Sequence, residues 1–87
     1  LYPDFIIFER VDGMILPSIV DPHRFDLDDA LIKLRALADF AEQFGDKFHR
    51  VESLAEVAGT MRVLDLKSER VRKDVKYFKG EVVDLYK

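Results

Sequence analysis

The sequence predicts an α+β fold, ordered β-hairpin–helix–β-hairpin–helix, in which a small mixed sheet carries helices packed on it. Three observations predict it. Two strand-like runs flank Asp12-Gly13, two more flank Ala58-Gly59, and apolar residues at helical spacing follow each pair. The 87 residues are enough for one small domain with one core, spanning 1–87.

Residues 5–10 (Phe-Ile-Ile-Phe-Glu-Arg) are rich in β-formers and predict the first strand. Asp12-Gly13 suits a two-residue hairpin turn, and residues 14–20 form the return strand. Pro17 cannot donate to a ladder, so a bulge or an edge position is expected there. Residues 27–44 predict a helix. Leu27, Ala30, Leu31, Leu34, Ala38, Ala41 and Phe44 recur at helical spacing, and Leu37 and Phe40 widen the stripe. Asp26 is the expected N-cap, Asp28 and Asp29 suit the positive end of the helix dipole, and Gly45 supplies a stop.

Residues 48–57 alternate, with Val51, Ser53, Ala55 and Val57 on one face and Arg50, Glu52 and Glu56 on the other. Residues 61–66 return. Ser68 then caps a last helix, along which Val71, Val75, Phe78, Val82 and Leu85 make one stripe interrupted by Gly80. Arg70 and Asp74 fit an i,i+4 ion pair.

Composition narrows the class. Apolar residues make up 48% and charged residues 36%, the balance of a globular domain. No apolar run is long enough to cross a bilayer, and no secretory leader is visible. With no cysteine, disulfides and thiolate metal sites are excluded, which fits a cytoplasmic protein. The chain opens at Leu1 inside a strand-like run, which reads as a piece of a longer protein. Net charge is −3, but residues 60–87 carry eight basic and five acidic side chains. That excess reads either as a polyanion-facing surface or as a solvated helix face.

Candidate chemistry gathers at the ends of the first two strands. Asp4 follows Pro3, and Asp21 precedes Pro22. If the runs pair as a hairpin, both acids come to one edge of the sheet. Two converging carboxylates suit a divalent cation that activates water and stabilises charge on a phosphate. Asp beside Pro is equally ordinary turn chemistry. His23, two residues after Asp21, reads as a ligand, an acid/base group or a turn cap. His49, between Lys47 and Arg50, reads as a surface residue. Arg72, Lys73, Lys76 and Lys79, with Tyr77 beside them, form a basic stripe that suits a phosphate backbone, diluted by Glu69 and Asp74.

Pro3-Asp4 before a strand, with Ile19-Val20-Asp21-Pro22-His23 ending the next, resembles the PD-(D/E)xK nuclease superfamily. Residues 28–42, Arg50-Val51-Glu52 and Arg62-Val63-Leu64-Asp65-Leu66-Lys67 resemble the C-terminal region of large bacterial DEAD/DEAH-box proteins of the type III restriction enzyme Res-subunit or helicase-like class. The resemblance covers nearly all of the chain. It implies a restriction-endonuclease-like core lacking its first helix and strand, within a hydrolase that cleaves phosphodiester bonds. Mg²⁺ or Mn²⁺ would bind at Asp4 and Asp21, with the Pro22 carbonyl as a further ligand. His23 would stand where the superfamily has a water-orienting lysine. DNA would be the partner, held by Arg72, Lys73, Lys76 and Lys79, and ATP would bind only in an upstream motor. The alternative is a catalytically inactive interaction module, homodimerising through an exposed sheet edge.

Overall fold

A computed structural model describes residues 5–22 and 30–86, with Phe5 placed by its backbone. The order is β1 (Phe5–Val11), β2 (Met14–Pro22), α1 (Ala30–Phe44), β3 (Arg50–Val57), β4 (Thr60–Asp65) and α2 (Glu69–Lys76). Short 3₁₀ segments, Gly45–Lys47 and Val82–Tyr86, follow the two helices. The four strands form one mixed sheet in the order β1-β2-β3-β4. The two hairpins are antiparallel, and β2 runs parallel to β3 through the α1 crossover.

Both hairpins close through two residues with positive φ: Asp12 at 50° and Gly13 at 81°, then Ala58 at 51° and Gly59 at 80°. This is the type I′ geometry whose twist matches that of the flanking strands. Pro17 departs from expectation, because β2 is a central strand rather than an edge. Pro17 lies opposite Phe8, and the ladder to β3 starts one residue later, at Ser18 with Arg50. Its missing donor therefore falls just before β3 begins, while its carbonyl accepts from the His49 N–H at 2.9 Å.

The core lies between one sheet face and the helices. Ala30, Leu34, Leu37, Ala38 and Ala41 form the buried stripe of α1. They meet Ile19, Val51, Ala55, Leu64 and Leu66, with Val75 from α2 and Tyr86 from the last 3₁₀ segment. Val51, Ser53 and Ala55 alternate inward as the sequence predicts. The Asp26 cap and residues 27–29 lie outside the described residues. Helix α1 stops at Phe44, where Gly45 opens a 3₁₀ turn rather than a left-handed cap.

The last apolar stripe does not form one helix. Ser68 caps α2 by accepting from the Val71 N–H at 3.4 Å, but α2 ends at Lys76. Gly80 then takes φ 135°, a conformation that breaks helical continuation. Arg35 of α1 spans this break, donating to the Val75 carbonyl at 3.3 Å and the Phe78 carbonyl at 2.8 Å. The Val75 carbonyl is among those a helix end leaves without intrahelical partners, and Phe78 lies just beyond that end. The ion pair within α2 joins Glu69 and Lys73 at 3.4 Å, rather than Arg70 and Asp74.

Candidate functional site

Three features bear on function. The first lies at the carboxyl end of β2, beside the middle of β3. Asp21 is directly across from Ser53 in the ladder. The buried Ser53 hydroxyl lies 2.6 Å from the Tyr86 hydroxyl. Burial pushes the Tyr86 phenol up to about 12; the Ser53 bond opposes that shift, and the charge of Asp21 adds to it. This phenol is therefore held neutral at physiological pH, and it anchors the Val82–Tyr86 segment onto β3.

Of the expected cation ligands, Asp21 and Pro22 are described, opposite Ser53 and Leu54 in the β2–β3 ladder, while Asp4 and His23 lie outside the described residues. Among the described residues, no group of three or more His, Asp or Glu side chains converges as a metal cage.

The second feature is a polar network on the sheet face opposite the helices. The Glu9 carboxylate accepts from the Ser18 hydroxyl at 2.7 Å and from two nitrogens of the Arg50 guanidinium. Arg50 also reaches Glu52 at 3.3 Å, and the His49 ring lies 3.7 Å from Glu9. The Ser18 hydroxyl first, then Arg50, holds Glu9 below the ordinary carboxylate range, and Glu9 in turn raises Arg50. The network ties β1, β2 and β3 together across the sheet.

The basic stripe is largely occupied with local contacts. Arg72 donates to the Leu66 carbonyl at 3.0 Å and the Lys67 carbonyl at 2.7 Å, bracing the turn before α2. Lys73 pairs with Glu69, and Lys76 lies 5.7 Å from the Tyr77 ring centroid. Lys79 is exposed beyond the end of α2.

The third feature is the β1–β2 hairpin. Cross-strand partners share a face, so Ile6, Phe8 and Ile15 lie on the helix side with Ile19, while Ile7 and Met14 lie on the other. Helix α1 packs against β3 and α2, and among the described residues neither helix covers the exposed side chains of the hairpin. Ile6 is 52% exposed, Phe8 70%, Ile15 65% and Met14 63%. Sequence reasoning found this hairpin but not its exposure. An apolar run reads the same whether or not a helix covers it.

A family model matches residues 1–87 from end to end. The chain belongs to the YagJ family. It is similar to Protein YagJ of Escherichia coli (strain K12), 50% identical over 70 residues, which cover 80% of this chain and 29% of that protein. The chain thus spans less than a third of this curated YagJ relative. No solved structure matches it.

YagJ membership corrects the resemblance to helicase and type III restriction proteins, and with it the nuclease, hydrolase and ATP-binding expectations. One string behind that resemblance has an ordinary structural explanation in this YagJ-family chain. In Leu64-Asp65-Leu66-Lys67, the two leucines are buried core. Asp65 accepts from the Lys67 N–H at 3.0 Å, and Lys67 Nζ donates to the Phe48 carbonyl at 2.9 Å. The α+β order with a mixed four-stranded sheet and two helices stands. Among the described residues, no helix is long and apolar enough to cross a membrane.

Proposed function

We propose that this chain is a protein-assembly module that works through its β1–β2 hairpin. The observation that carries this is the exposure of apolar side chains on both faces of an edge hairpin: Ile6, Phe8 and Ile15 on one, Ile7 and Met14 on the other. Isolated exposed apolar residues are normal, but contiguous ones on one element mark an interaction surface. Edge strands are commonly blunted by charged side chains, Pro or a bulge; β1 (Phe-Ile-Ile-Phe-Glu-Arg-Val) has no Pro and no bulge, and its charges are confined to Glu9, which is already paired with Arg50, and Arg10. The open edge also offers main-chain groups for strand addition. The polar network of Glu9, Ser18 and Arg50 holds the hairpin firmly on the sheet, so the surface is presented in one orientation.

Charged substitution tests this reading. If these side chains serve assembly rather than the module's own core, Phe8→Lys and Ile15→Lys keep the unfolding free energy within about 0.5 kcal/mol of the parent. Both variants also lose binding of an apolar fluorescent dye. Loss of the fold in either variant would assign the hairpin to the internal core and overturn the reading.

A further inference from the structure

We infer that the strand added at β1 is the β1 of a second copy of this chain, paired antiparallel with Phe8 on the two-fold axis. The inference rests on the assembly reading above and names the partner.

The hairpin geometry dictates which backbone groups are available. Residues flanking a two-residue turn exchange both main-chain bonds, and such pairs alternate along the strands. Val11 and Met14 flank the Asp12-Gly13 turn. Phe5, Ile7, Glu9 and Val11 therefore bond to β2, while Ile6, Phe8 and Arg10 present their N–H and C=O groups to the open edge. These three residues are symmetric about Phe8, the midpoint of β1 (Phe5–Val11).

An axis at Phe8 is the register that pairs the whole strand with its copy. Phe8 faces Phe8, Ile6 faces Arg10, Ile7 faces Glu9 and Phe5 faces Val11. No like charges meet. Glu9 is already compensated by Ser18 and Arg50, and the methylene stem of Arg10 can cover the facing Ile6. An axis at Glu9 or Arg10 sets carboxylate against carboxylate or guanidinium against guanidinium, which is destabilising. An axis at Ile7 pairs only Phe5–Glu9 of the described strand with the copy. At Phe8, the exposed Ile6 and Phe8 side chains of both copies merge into one apolar patch on the helix side, continuous with Ile15. The product is an eight-stranded sheet with both β1 edges closed.

Sedimentation and light scattering of the chain across a wide concentration range test the inference, together with NMR on a mixture of isotopically labelled and unlabelled chains. The expected result is a concentration-dependent doubling of mass, with an intermolecular Hα–Hα contact between Ile7 of one copy and Glu9 of the other. Phe8→Lys abolishes the dimer, whereas Met61→Lys, on the opposite edge strand, leaves it intact. A monomer at every concentration overturns the inference. So does a dimer that lacks this contact and survives Phe8→Lys. Neither outcome decides whether the hairpin is an assembly surface, because the stability test of Phe8→Lys and Ile15→Lys settles that separately.

Discussion

The hydroxyls of Ser53 and Tyr86 lie 2.6 Å apart in the core, joining the central strand β3 to the last turn of the described chain. Tyr86→Phe removes one partner and leaves the buried Ser53 hydroxyl without it. The expected cost is about 1–3 kcal/mol, measured by urea unfolding. The pH dependence is more specific. The Tyr86 phenol is raised from 10.0 to about 12. Its contribution is therefore complete below pH 10 and is lost as pH rises toward 12. Stability of the parent should fall across that window more steeply than that of Tyr86→Phe. Parallel curves would show that the phenol does not titrate with folding.

The Glu9 network predicts behaviour at the acid end. The Glu9 carboxyl lies below its ordinary value of 4.5, so its contribution is present above that pH and is lost as pH falls through the depressed value. Glu9→Gln should flatten the acid limb of the stability curve. The same variant frees Arg50 from its bidentate partner. Amide exchange in β1 should therefore quicken more than in β4, which the network does not reach. Equal quickening in both strands would contradict this.

Gly80 lies in the link between α2 and the 3₁₀ segment. Its φ of 135° is one that L residues rarely adopt, and an added Cβ would meet the Phe78 ring at 3.6 Å. Gly80→Ala should destabilise by about 1–3 kcal/mol in thermal or urea unfolding. A neutral result would mean that the segment re-forms around an alternative backbone.

Much of the fold was legible in the residues. The turn dipeptides, the Ala30–Ala41 stripe and the inward alternation of Val51, Ser53 and Ala55 follow from local chemistry and period. Pro17 was misjudged because its tolerance in a central strand depends on where the β3 ladder begins, which is a tertiary fact. The single final helix was also wrong, since a stripe spaced by three and four residues cannot reveal that Gly80 changes helix type. The site was less legible. Glu9, Ser18 and Arg50 are far apart in sequence and meet only through strand order. The nuclease reading drawn from the acid-proline strings is corrected by the family match, because Asp beside Pro is also ordinary turn chemistry and does not single out a superfamily.

Exchange of the β1 amides measures the central claim most directly. The amides of Ile6, Phe8 and Arg10 point to the open edge, while those of Ile7, Glu9 and Val11 bond to β2. If β1 is the assembly edge, raising the protein concentration should slow exchange at Ile6, Phe8 and Arg10 toward the rates of their neighbours. If those three amides exchange at the same fast rate at every concentration, nothing pairs with the edge, and strand addition at β1 is contradicted.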